Sequence, residues 1–96
     1  MTYFLRNANQ ILINSVWTKG IPIAGYDPAV WRHDPCGHVI KFSDHGDTNS
    51  QYGWEIDHII PSAKGGTDDI GNLQPLYWET NRTKGDTYPW TCSMAA

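Results

Sequence analysis

The sequence predicts a small α+β domain: an N-terminal helix, a wrapped loop-rich segment, and a compact strand–loop–strand–helix unit. Three observations predict it. The chain has 96 residues, which allows one domain. Phe4, Ala8, Ile11, Leu12 and Val16 recur near a helical stripe within residues 3–17. Residues 54–85 alternate apolar runs with turn-forming residues in the order strand, loop, strand, helix.

Three asparagines, Asn7, Asn9 and Asn14, weaken the helix expected over 3–17. From Lys19 to Pro35 the chain is turn-rich, with Gly20, Pro22, Gly25, Asp27-Pro28 and Asp34-Pro35. This segment is expected to wrap the domain, with Val30-Trp31 anchoring it to the core. Residues 38–43 read as a strand and 44–53 as a polar loop containing Gly46 and Gly53. Trp54 to Ile60 is a β-rich run ended by Pro61. Residues 61–71 form a surface loop around Lys64-Gly65-Gly66, and Leu73 to Leu76 a short strand. Tyr77 to Lys84 reads as a helix, with Gly85 where a left-handed cap usually falls. Residues 1–53 thus support a working unit at 54–85, and 86–96 form a short tail with Trp90 docked.

A chain this short has a thin core. Five Trp, five Tyr and two Phe offset that, because each aromatic buries a large area. Nine Gly and six Pro point to many turns. The net charge of −3 excludes a non-specific nucleic-acid coat, which would be basic. An enzyme that grips a few phosphates is not excluded. The apolar stretches near the N-terminus are too broken for a signal peptide or a membrane span, so the cytoplasm is the expected location. Cys36 and Cys92 permit a disulfide without implying one. With His33 and His38 they also permit a zinc site, although their spacing fits no established zinc pattern.

The chemistry concentrates in Glu55-Ile56-Asp57-His58-Ile59-Ile60-Pro61, with Asn72 and Asn81 following. Asp57 is a hard anionic oxygen donor suited to Mg²⁺ or Mn²⁺. A histidine such as His58 titrates near neutrality and can accept a proton from water. Asn81 offers a second oxygen ligand. Asn72 can hydrogen-bond across the loop, fixing its shape or the His58 ring. Strict alternation would send Asp57 and His58 to opposite faces, so the strand must end or twist there.

Asp57-His58-Ile59-Ile60-Pro61, Lys64-Gly65-Gly66, Asn72-Leu73-Gln74-Pro75-Leu76 and Asn81-Arg82-Thr83-Lys84-Gly85-Asp86 together resemble the HNH endonucleases over about a third of the chain. Gly53-Trp54-Glu55 and Trp17-Thr18-Lys19-Gly20 look, more weakly, like small stand-alone members of bacterial or phage type. The resemblance implies a ββα-metal core with one divalent cation, Mg²⁺ or Mn²⁺. Asp57 and Asn81 would be the protein ligands, His58 the general base, and Asn72 the central asparagine bracing the loop. It implies hydrolysis of double-stranded DNA to a 5′-phosphate and a 3′-hydroxyl. Two departures stand out: there are no paired Cys-x-x-Cys knuckles, and the last ligand position is Asn rather than His.

Other readings accompany these. Glu55, on the face of Asp57, reads first as a structural salt bridge. Arg82 and Lys84 form either a solvated helix end or a phosphate grip, and Lys64 a phosphate contact or a mere turn. Within 54–85, three bases against five acids leave −2, which one divalent cation cancels, so DNA binding should depend on the metal with few phosphate contacts. His45 is expected on an exposed loop, and Trp78 beside DNA. A non-catalytic DNA-binding module on the same scaffold, an RNase, and a toxin remain as other classes. Sequence specificity in so small a chain would need a homodimer or a protein partner.

Overall fold

The computed structural model describes Leu5 and residues 8–92. Helix α1 spans Gln10–Trp17, shorter than the helix expected over 3–17. Asn9 explains the start. Its backbone is extended and its side chain accepts the Leu12 N–H at 2.9 Å, so a residue unfavourable inside a helix serves as its N-cap. Leu5 instead donates its N–H to the Ile56 carbonyl at 3.0 Å, beside the main hairpin. Val16 and Trp17 are buried, whereas Ile11 is 77% exposed. Phe4, expected on the same stripe, lies outside the described residues.

The turn-rich segment contains more order than its composition suggests. β1 (Ile21–Pro22), β2 (Trp31–His33) and β3 (Val39–Lys41) form an antiparallel sheet in that order. Ile21 pairs with His33, and Trp31 with Lys41. β1 and β2, with two and three residues, are too short to display alternation, so only β3 falls within an expected strand. The strand expected over 38–43 stops at Lys41, where Phe42–Asp44 form one 3₁₀ turn. Val30 and Trp31 are only half-buried. Trp17 holds the central place instead, with ring centres 5.4 Å from Phe42 and 5.3 Å from Trp54.

The second half follows the expected order. β4 (Trp54–His58) and β5 (Leu73–Tyr77) pair antiparallel, with Asp57 opposite Gln74 and His58 opposite Leu73. α2 (Trp78–Lys84) follows β5 without a linker. Gly85 has φ +54° and ψ −130°. That is a positive-φ conformation open to glycine, although not the left-handed helical cap expected. Trp54, Ile56 and Leu73 meet Val16, Trp17 and Ile40 in one core, and Leu12, Ile13, Phe42 and Tyr77 pack on it.

Two expectations about single residues change. His45 is half-buried against Trp54, with ring centres 4.8 Å apart. Burial lowers its pKa, partly opposed by the charge of Glu55. Cys36 and Cys92 form a disulfide, which ties the tail to the turn before β3 and removes the zinc alternative built on His33, Cys36, His38 and Cys92. No helix among the described residues is long and apolar enough to cross a membrane.

Candidate active site

Alternation along β4 puts Glu55 and Asp57 on one face, and α2 lies over that face. Asn81 and Lys84, three residues apart, share a side of α2. The result is two polar rungs between strand and helix. In the first, Glu55, 2% exposed, accepts two bonds from the Arg82 guanidinium at 2.6 and 2.8 Å and one from the Asn81 amide at 3.1 Å. In the second, Asp57, fully buried, accepts from Lys84 Nζ at 3.2 Å and from Gln74 Nε2 at 2.9 Å. Lys84 Nζ also donates to the His58 carbonyl at 2.9 Å. Burial raises the Asp57 pKa. The bonds from Gln74 and Lys84 and the nearby His58 oppose that shift without cancelling it.

These rungs revise the cation assignments. Lys84 is neither a solvated helix end nor a surface phosphate grip. It is 2% exposed and its ammonium is committed to Asp57 and His58. Arg82 is engaged by Glu55, although its side chain remains 38% exposed. The structural salt bridge read for Glu55 is present, in the bidentate form that is strongest for this pair. Lys64 lies exposed in the 3₁₀ turn Ser62–Lys64. Trp78 is half-buried, with its Nε1–H bound to the Ser50 carbonyl at 2.8 Å.

His58 ends β4, and its ring turns to the loop rather than to α2. Its Nε2 lies 2.7 Å from Asp68 Oδ1. The loop is shaped by Asn72. The Asn72 Oδ1 accepts the Ile60 N–H at 2.8 Å, and its Nδ2 donates to the Ile60 and Thr67 carbonyls at 3.0 and 2.8 Å. Of the two tasks open to Asn72, it performs the bracing, and the His58 ring is held by Asp68 instead. Gly66 permits this closure, because a Cβ there would lie 1.6 Å from the Ile60 carbonyl oxygen.

The Asn81 side-chain oxygen is fully buried and has no hydrogen-bond partner. An unsatisfied buried carbonyl of this kind is costly, and its neutral hard oxygen suits a divalent cation. Asp57 adds an anionic hard oxygen on the same strand–helix interface. This donor pair fits the metal that the sequence resemblance implies, with Lys84 as the cation such an ion would have to compete with. Among the described residues, no three His, Cys, Asp or Glu side chains converge as a metal cage.

The HNH endonuclease family model matches residues 34–87, and the chain belongs to that family. No curated protein and no solved structure matches the chain. Membership indicates a nuclease-type function, in a family that acts on DNA and typically uses a divalent metal.

The match begins at Asp34, a residue expected only within a turn. Asp34 is fully buried. Its Oδ1 accepts from the Cys36 and His38 N–H groups at 2.9 and 2.8 Å, and its Oδ2 from the Tyr77 N–H at 2.9 Å. His38 stacks on Tyr77 with ring centres 3.6 Å apart. This turn therefore clamps the junction from which α2 starts. An Asp-Pro-x-Gly run signals the turn, but nothing in it signals a partner 43 residues away. The bonds of Gln74 and Lys84 to Asp57, 17 and 27 residues away, are equally unsignalled by the local sequence.

Proposed function

We propose that this chain is a metal-dependent endonuclease hydrolysing DNA phosphodiester bonds, by a nick or a cut, to a 5′-phosphate and a 3′-hydroxyl. The observation that carries the reading is the orphaned, fully buried Asn81 oxygen on the interface that also holds Asp57, in a chain of the HNH family. Asp57 and Asn81 would hold one Mg²⁺ or Mn²⁺, with water completing the shell. Bound there, the ion would neutralise charge on the phosphate and the leaving oxygen.

The other roles fall to the chain itself. His58 takes a proton from the attacking water as general base. Asn72 keeps the loop in the shape that presents His58. Gln74 orients the Asp57 carboxylate. Lys64 and the exposed part of Arg82 offer phosphate contacts. The acidic unit leaves few such contacts, so affinity for double-stranded DNA should show a shallow salt dependence. Sequence specificity would need a second copy or a protein partner.

A plasmid-nicking assay with Mg²⁺, Mn²⁺ and EDTA tests the reading. Nicked or linear product that requires the metal is expected, and His58→Ala should abolish it while thermal unfolding stays close to wild type. Cleavage that survives in His58→Ala would sink the general-base role. No metal-dependent product on any DNA would leave a non-catalytic module as the better reading.

A further inference from the structure

We propose that Asp68 is the positioning residue for His58, fixing its tautomer so that Nδ1 is the atom that accepts the proton; this rests on the general-base reading above. The contact is short, 2.7 Å between His58 Nε2 and Asp68 Oδ1. An ionised carboxylate only accepts hydrogen bonds, so the imidazole proton sits on Nε2. In the neutral ring that leaves the Nδ1 lone pair free. Without Asp68, the neutral ring is no longer held to one tautomer or one orientation.

The loop is built to deliver this carboxylate. Both neighbours of Asp68 are pinned: the Thr67 carbonyl accepts from Asn72 Nδ2 at 2.8 Å, and the Asp69 carbonyl accepts from the Asn72 N–H at 2.7 Å. Thr67 Oγ1 donates to Asp69 Oδ2 at 3.0 Å across the same turn. Gly66 is bound through its N–H to the Pro61 carbonyl at 3.0 Å. The segment from Pro61 to Asn72 thus returns to the strand end with Asp68 aimed at the ring.

Stability alone does not account for this contact. Asp68 is 70% exposed while the His58 side chain is 10% exposed. A pair with one partner so open to water adds little to stability. Variants at Asp68 should therefore fold, which makes the role separable from structure.

The experiment combines nitrogen-15 NMR of the His58 ring at fixed neutral pH with single-turnover plasmid nicking in Mn²⁺. In the wild type the ring should be the Nε2–H tautomer. Asp68→Ala should give mixed tautomers and a nicking rate lower by about 10–100-fold, with the KM for plasmid unchanged. Asp68→Glu should restore most of both. An unchanged tautomer in Asp68→Ala overturns the proposal. So does a faster rate, which would mean that Asp68 masks His58. If the wild type nicks no DNA, the nuclease reading fails, while the ring spectrum still decides whether Asp68 sets the tautomer.

Discussion

Two neighbouring residues of one strand are held by opposite means. Asp57 points to α2 and is locked in a fully buried ion pair with Lys84. His58 points to the loop and is held by a carboxylate that is largely in water. The helix side is where removing one partner is costly, because a stranded charge stays buried. The loop side is where geometry matters more than stability, because its partner is already solvated. The helix side thus holds Asp57 rigidly inside the fold, while the loop side ties the buried His58 ring to a carboxylate in solvent.

The largest expected effect breaks the helix side. Lys84→Met leaves Asp57 buried and unpaired, at a cost of about 3–5 kcal/mol in chemical denaturation near neutral pH. The sign with pH follows from the raised Asp57 pKa. Stability associated with this group is present below the ordinary aspartate value and is lost as pH rises through the raised one. The penalty of Lys84→Met should therefore shrink on acidification. Mn²⁺ should raise the melting temperature of this variant more than that of the wild type, since the ion replaces the missing cation. Equal shifts in the two proteins would remove Lys84 as a competitor for the ion.

A smaller stability effect belongs to the loop side. Asn72→Ala removes the bonds to Ile60 and Thr67 and should cost about 1–3 kcal/mol. Hydrogen exchange should rise over residues 60–69 and not over α2. Exchange that rises equally over both would show the two sides to be one unit.

The smallest effect sharpens the comparison at the first rung. Burial depresses the His45 pKa while Glu55 opposes it. Stability from keeping this ring neutral is present above the ordinary histidine value and is lost as pH falls through the depressed one. His45→Gln should remove that part of the acid-side loss in a series of denaturation curves. A series parallel to wild type would show that His45 is not a source of it.

Much of the loop side was legible in the sequence. Asp57-His58, the Lys-Gly-Gly loop and Asn72 lie close along the chain, and their backbone requirements are local. The order strand, loop, strand, helix was legible for the same reason. The helix side was only half legible. Asn81 was expected at its position, but Lys84 read as a surface cation because nothing local says that Asp57, 27 residues earlier, will bury it. Asp34 and the Cys36–Cys92 pair act at separations of 43 and 56 residues, and the two- and three-residue strands carry no period to read.

The direct passage from Tyr77 into Trp78 has a consequence for how this chain tolerates change. A helix advances about 100° per residue. One residue inserted at that junction would turn Asn81 and Lys84 away from β4 together, breaking both rungs at once. The same insertion between Ser62 and Lys64, where the side chains are exposed, would leave the phase of α2 untouched. Length variation in descendants of this chain should therefore be purged from the junction, whatever the residue inserted.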